Sequence, residues 1–232
     1  MDRLTELSLN WESVRDSVTQ ACADAGRTIE EVSIVAVTKT WPAADIRLLA
    51  GLGVTDVGEN RDQEAKVKHE ELIDVELVWH AIGQLQTNKA KSVAGWADVV
   101  HSVDRSELVS ALGKAASHRN VPLRVLLQIN LDSVVTGERG GCKPEALLEL
   151  AAQVRSHPGL VLGGVMGVAP LDEDPSRAFE QLQHKSQELI AYEAGATWIS
   201  AGMSGDYQKA IEYGATHLRI GSLILGHRPS NR

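Results

Sequence analysis

Val32-Ser33-Ile34-Val35-Ala36-Val37-Thr38 is an apolar, β-branched run that stops at Lys39, and a helix-type stretch follows it behind Pro42. The same unit recurs along the chain. Further β-type runs stand at Val54–Gly58, Leu77–Ile82, Asp98–Val103, Leu123–Asn130, Val161–Val168, Thr197–Ala201 and His217–Gly221. Successive runs begin 20 to 38 residues apart, room for one crossover helix each, which parallel strands require. The stretches between them carry helical periodicity: Leu147, Leu150, Ala151 and Val154 share a face, as do Phe179, Leu182, Ser186, Leu189 and Ile190. Pro42, Pro144 and Pro175 sit at first-turn positions, Asp174 precedes the last as a cap, and Asp104 with Glu107 reads as a capping box. Ahead of the first strand, Leu4, Leu7, Trp11, Val14, Val18 and Cys22 make an added amphipathic helix over about 3–25.

Eight strand–helix alternations in 232 residues predict a single-domain α/β fold, a (β/α)8 TIM barrel over 1–232. An open doubly wound sheet is the competitor. Short, uniformly apolar strands and the lack of a Gly-rich dinucleotide fingerprint after the first one favour closure. The long interval between strands five and six leaves room for a loop at 132–143.

Composition narrows the functional classes. Hydrophobic residues make up 43% and charged residues 23%, the balance of an ordinary globular protein. A formal net charge of −8 argues against broad nucleic-acid binding, which depends on Lys and Arg neutralising phosphates, but it leaves room for one local anion pocket. No apolar run approaches the roughly 20 residues of a membrane span, and the acidic N-terminus has no apolar signal core. A cytoplasmic location with no membrane partner is the expectation. Cys22 and Cys142 form no metal-ligand pattern, and no His-x-His or His-Glu-x-x-His spacing occurs among the 8 histidines, so no metal is expected.

In a barrel, chemistry collects at the C-terminal ends of strands, with phosphate sites after strands seven and eight. Lys39 closes strand one. Against apolar walls its ammonium would lose hydration, its pKa would fall and its amine would become nucleophilic; taken alone, it fits a lysine extending into solvent better. After strand seven, Ser200-Ala201-Gly202-Met203-Ser204-Gly205-Asp206 offers small residues and a hydroxyl for an anion, or simply a capped turn. Gly-x-Ser-x-Gly fails there, because Asp206 stands in place of the second glycine. Strand eight brings Arg219, Gly221 and Ser222; Arg219 fits either a ligand site or a structural ion pair with an acid such as Asp206. Together, a lysine, an arginine and a Ser/Gly cup match a phosphorylated aldehyde cofactor. Pyridoxal 5'-phosphate would join Lys39 as an imine, rest its phosphate on Ser204, Gly221 and Ser222, and turn its ring nitrogen to Arg219.

The order of Ala36-Val37-Thr38-Lys39-Thr40, Gly58-Glu59-Asn60, Trp79-His80-Ala81-Ile82-Gly83-Gln84-Leu85-Gln86-Thr87-Asn88-Lys89, Gln128-Ile129-Asn130, Gly164-Val165-Met166, Gly202-Met203-Ser204-Gly205-Asp206 and Arg219-Ile220-Gly221 resembles the pyridoxal-phosphate homeostasis proteins. These are single-domain relatives of the N-terminal barrel of alanine racemase. The resemblance covers nearly the whole chain, and its Trp79–Lys89 segment is highly specific. It implies the cofactor as a Schiff base on Lys39, its phosphate held by Ser204 with the Met203 backbone and by Gly221 and Ser222. It also implies Arg219 at the ring nitrogen and Asn60 near the ring; the Trp79–Lys89 segment comes with no role.

A racemase needs a proton-transfer group on each face of the cofactor. Alanine racemases supply the second as a tyrosine from another domain across a dimer; this chain runs only eleven residues past Gly221, and its 3 tyrosines, Tyr192, Tyr207 and Tyr213, lie in helix-type stretches. An arginine beside the ring nitrogen also disfavours protonation there and weakens the electron sink. The expectation is therefore a monomeric, non-catalytic protein that holds pyridoxal phosphate and delivers it through transient contact with apoenzymes. A low-activity amino-acid racemase is the alternative, and a lysine-dependent aldolase of phosphorylated sugars a third reading.

Overall fold

The computed structural model describes residues 1–132, 140–170 and 173–226. Eight parallel strands close into a barrel in chain order: β1 (Ser33–Val37), β2 (Asp56–Glu59), β3 (Val78–Ala81), β4 (Val99–Val103), β5 (Leu123–Gln128), β6 (Leu160–Met166), β7 (Trp198–Ser200) and β8 (His217–Ile220). Each lies within a run expected from the sequence or, for β2 and β6, overlaps it with a shift of one residue at an end. Closure is made by β8 on β1, with Val35 opposite Arg219 and Ala36 opposite Ile220. Most of the expected 132–143 loop, and the chain after 226, lie outside the described residues.

The surrounding helices are α1 (Arg3–Asp24), α2 (Ala43–Gly51), α3 (Asp62–Glu71), α4 (Ala90–Val93), α5 (Ser106–Ala116), α6 (Leu147–Arg155), α7 (Pro175–Tyr192), α8 (Tyr207–Glu212) and α9 (Ser222–Leu225). Helix α1 packs on α2, α8 and α9, burying Leu7, Trp11, Val14, Val18 and Cys22, whereas Leu4 in its first turn stays 48% exposed. Pro175 opens α7 behind Asp174, whose carboxylate accepts the Ser176 N–H. Two start signals differ from expectation. Pro42 is the residue preceding α2, with extended ψ, and Asp104 does not cap α5. It stands one residue before the N-cap, Arg105, and its carboxylate accepts from the Arg105 guanidinium at 2.6 Å and from the Gly141 N–H at 3.4 Å.

Strand alternation sorts the core into two parts. Outward positions such as Ala36, Val57, Trp79, Ile199, Leu218 and Ile220 join the helices in one large apolar cluster. Inward positions are unusual for a barrel, whose centre is ordinarily layered with Val, Ile and Leu. Here a small apolar group, Val99, Leu126 and Met166, shares the interior with His80, His101, Ser200, His217 and Arg219, all buried.

Two of these histidines are expected to make the fold acid-sensitive. Burial pushes His217 down to about 3, and burial likewise holds His101 well below its ordinary value. In the unfolded chain both take up a proton near pH 6.5. The stability gained from keeping them neutral is therefore complete above about pH 6.5 and is lost as pH falls towards the depressed folded values. The urea midpoint is expected to decline steadily on acidification below that pH, and His217→Gln to flatten the decline. An unchanged slope in the variant would show that His217 does not drive it.

Candidate functional site

A cavity of about 710 Å³ opens at the C-terminal mouth of the barrel where β8 meets β1. Its lining contains all seven residues singled out from the sequence: Lys39, Asn60, Met203, Ser204, Arg219, Gly221 and Ser222. Barrel closure is what brings them together, since β1 and β8 are neighbours despite lying at opposite ends of the chain. The volume falls in the range of small-molecule sites. Val37, Ile82 and Val168 supply apolar wall, and Trp41, which sequence reading passed over, completes the rim with Arg3 stacked 4.5 Å over its ring.

The β7–α8 turn is shaped by Gly202, at φ +87°, a backbone state that disfavours side chains; a Cβ there would stand 2.8 Å from that of Ala210. Asp206 accepts the Met203 N–H at 2.6 Å and so holds the turn closed. Across the gap, the Ser222 hydroxyl donates to Ser204 Oγ at 3.2 Å, which puts two hydroxyls on one spot of the cavity wall. Gly205 and Gly221 add no side chain to the space beside them.

Arg219 is 6% exposed and projects inward from β8. Its Nη1 donates to Ser200 Oγ at 2.6 Å and its Nη2 to the Gly167 carbonyl at 3.0 Å. The alternative ion pair with Asp206 does not form among the described residues: that carboxylate is engaged by Met203 and acts on the guanidinium only at longer range. Burial lowers the Arg219 pKa to about 10, which still leaves it cationic at neutral pH.

Lys39 lies two residues beyond the end of β1 and is half-buried. The segment carrying it is clamped on both sides. Before it, Thr38 donates its hydroxyl to Glu59 Oε1 at 2.6 Å, and Lys68 Nζ donates to the Thr38 carbonyl at 2.9 Å. After it, Thr40 adopts φ +71°, a strained state for a β-branched residue, and its N–H donates to Glu64 Oε1. Lys68 joins the two acids, 2.7 Å from Glu59 and 2.6 Å from Glu64. Glu59 is drawn upward by burial more than its partners lower it, while Glu64, for all its own burial cost, is held below the carboxylate range by Lys68 and Thr40. Sequence reading carried Glu59 only within the Gly58-Glu59-Asn60 motif, without a role, and missed Lys68 and Glu64. The signal was available: Lys68 shares the buried face of α3 with Ala65, and that face runs on to Leu72 just past the helix.

The Trp79–Lys89 segment now has structural roles. Trp79 packs edge-on against His69 and Trp96 in the outer core. At Gly83 a Cβ would stand 2.4 Å from the Asn60 carbonyl, so only glycine lets the β3 loop press against the loop that presents Asn60 to the cavity. The Gly83 carbonyl accepts the Ser102 hydroxyl, and the Leu85 carbonyl accepts Arg105. The segment braces one wall of the site rather than furnishing its reactive groups.

The donor set fits a ligand with three features: an anionic tail for the paired hydroxyls, a carbonyl within reach of an amine, and a flat heteroaromatic body between apolar walls with a cation on one side. Among the described residues no tyrosine lines the cavity, and Tyr207, which opens α8 after the β7 turn, is 5% exposed with Ala210 and Ile211 on the buried face of that helix.

Comparison with known proteins places this geometry. The sequence model of the family described as alanine racemase, N-terminal domain, matches residues 15–229. A pyridoxal phosphate homeostasis protein of Mycobacterium tuberculosis is 41% identical over 246 residues, covering 98% of this chain and 95% of that one. PipY of Synechococcus elongatus, solved with PLP bound, superposes with a TM-score of 0.81 at 30% identity, covering 95% of this chain and all of PipY. An alanine racemase of Clostridium difficile gives a TM-score of 0.74 at 14% identity, covering 98% of this chain but 57% of the racemase; it shares the barrel fold.

Proposed function

We propose that this chain, which belongs to the pyridoxal phosphate homeostasis protein family, binds pyridoxal 5'-phosphate in the cavity between β8 and β1 and holds it for delivery rather than turnover. The observation that carries this reading is the meeting of Lys39, Arg219, Ser204 and Ser222 in one cavity. The Ser204 and Ser222 hydroxyls bind the phosphate, with Gly221 leaving space for it; the Met203 N–H joins them by exchanging its Asp206 partner. Asn60 borders the ring, and Arg219 faces its nitrogen. When bound, the cofactor would supply an electrophilic aldehyde, and Lys39 is the amine placed to hold it.

The chain's own groups favour holding over catalysis. A cation fixed at the ring nitrogen opposes a second positive charge there, which weakens the electron withdrawal that carbanion chemistry requires. The absence of a tyrosine from the described lining removes the usual second proton carrier. We further propose that the protein acts as a cytoplasmic monomer that hands the cofactor to apoenzymes by transient contact.

Borohydride reduction of the purified chain loaded with pyridoxal phosphate, followed by peptide mass spectrometry, is expected to place a stable pyridoxyl group on the peptide bearing Lys39. Modification confined to other lysines sinks the site assignment. Interconversion of L- and D-amino acids at ordinary enzymatic rates would overturn the holding role in favour of a racemase.

A further inference from the structure

Five side chains run in hydrogen-bonded sequence through the inside of the barrel. Arg219 Nη1 lies 2.6 Å from Ser200 Oγ, Ser200 Oγ 2.8 Å from His101 Nδ1, His101 Nε2 2.8 Å from His80 Nδ1, and His80 Nε2 2.9 Å from Asp56 Oδ1. Arg219 borders the cofactor cavity. Asp56 begins β2 at the opposite mouth, in a cleft of about 210 Å³ beside Trp11 and Arg15 of α1.

The two ends fix the outer bonds, and the requirement that every buried group be satisfied fixes the inner ones. A guanidinium only donates, and a carboxylate only accepts. Ser200 Oγ therefore accepts from Arg219 and gives its own hydrogen to His101 Nδ1. His101 then carries its proton on Nε2 and donates to His80 Nδ1; His80 carries its proton on Nε2 and donates to Asp56. In this arrangement both rings are neutral and every member is satisfied. A doubly protonated His80 would force a proton onto His101 Nδ1, leaving the buried Ser200 hydroxyl hydrogen between two donors, a cost that buried polar groups avoid. Burial holds His101 well below its ordinary pKa, in keeping with a neutral ring. Burial works to raise the Asp56 carboxyl, but hydrogen bonds from His80 and Thr55 outweigh it and keep the carboxylate charged. His217, whose ring centre is 6.2 Å from that of His80, bonds to Thr216 instead and stands outside the line.

Stability alone does not call for such a line, because well-packed apolar side chains serve a barrel interior at least as well as a buried polar network. We infer that Asp56, His80, His101 and Ser200 are positioning residues for Arg219: their one-directional line holds the guanidinium in a single orientation and lets a carboxylate at the far mouth of the barrel bias the charge presented to the cofactor's ring nitrogen. This rests on the cofactor reading above and deepens it. The line spans β2, β3, β4, β7 and β8, so it also couples the rim to the opposite end of the fold through side chains alone.

Long-range nitrogen–proton correlation spectra of the cofactor-free chain at neutral pH read the tautomers with no substitution. Neutral Nε2–H forms of both His80 and His101 are expected; an Nδ1–H tautomer of either ring, or a His80 protonated on both nitrogens, overturns the line. With pyridoxal phosphate as the probe, Ser200→Ala is expected to weaken binding about tenfold and displace the visible absorption band. Asp56→Asn should weaken it about threefold with a band shift of the same sign. In the double variant, Asp56→Asn adds nothing further, because the line is already cut. Additive losses, or an Asp56→Asn chain with unaltered affinity and spectrum, refute the coupling. If the parent chain takes up no pyridoxal phosphate, the cofactor reading fails and the ring-nitrogen role with it, while the tautomers still decide whether the line exists.

Discussion

Lys39→Ala is expected to abolish covalent retention of pyridoxal phosphate completely while leaving a weaker, reversible affinity for it. The residual affinity comes from the Ser204–Ser222 pair and the Arg219 cation, which the substitution does not touch. A chain loaded with the cofactor and passed through gel filtration should emerge coloured when Lys39 is present and colourless when it is replaced. Borohydride treatment should leave no pyridoxyl adduct in the variant. The fold should survive, because Lys39 is half-buried at the rim and lies outside the apolar clusters. Retention of a reducible, coloured species by Lys39→Ala would show that another amine carries the cofactor.

Lys68→Met is the second large effect, and it falls first on stability. The Lys68 side chain is 7% exposed and the Glu59 side chain 0%, so the substitution strands a buried carboxylate without its cation. Breaking a buried pair from one side costs about 3–5 kcal/mol, a large share of the roughly 5–15 kcal/mol that a domain of this kind has in total. Thermal unfolding should move down by about 10 °C. Glu59 already sits above the usual carboxylate range because burial outweighs its partners, and losing Lys68 pushes it further up. A folded-state pKa raised in this way means the folded form binds the proton more readily, so the deficit should grow as pH rises and shrink as pH falls. The same substitution frees the Thr38 carbonyl and takes from Glu64, which holds the Thr40 N–H, its cation, so cofactor binding should weaken as well. A Lys68→Met chain as stable as the parent at all pH values would show that the clamp contributes nothing.

Much of the barrel could be read before any coordinates. Strand runs such as Val32–Thr38 and Leu123–Asn130 announce themselves by composition, and each expected run contains or overlaps a real strand. The errors lie at boundaries and caps. Asp104 looked like a helix cap from its spacing to Glu107, but α5 starts one residue later, and the carboxylate serves Arg105 and the distant Gly141 N–H, which spacing cannot reveal. The individual members of the site were legible as strand-end polar residues: Lys39, Ser204, Arg219 and Ser222 each stand just where a barrel collects function. Their supports were not. Glu64 and Lys68 read as an ordinary charged pair one helical turn apart, and nothing local says that Lys68 turns inward to bind Glu59 and the Thr38 carbonyl.

What the one-dimensional pattern determined, then, is the inventory: eight apolar runs with helices between them, and a lysine, an arginine and two serines at their ends. Periodicity is a local property, imposed residue by residue by the geometry of strand and helix. Only the folded chain decided which of these groups meet. Closing β8 onto β1 joins residues from opposite ends of the sequence into one cavity, and facing inward aligns Asp56, His80, His101, Ser200 and Arg219 from five different strands. Their hydrogen bonds depend on distances of under 3 Å between atoms as many as 99 residues apart, a relation that exists only once the barrel has closed.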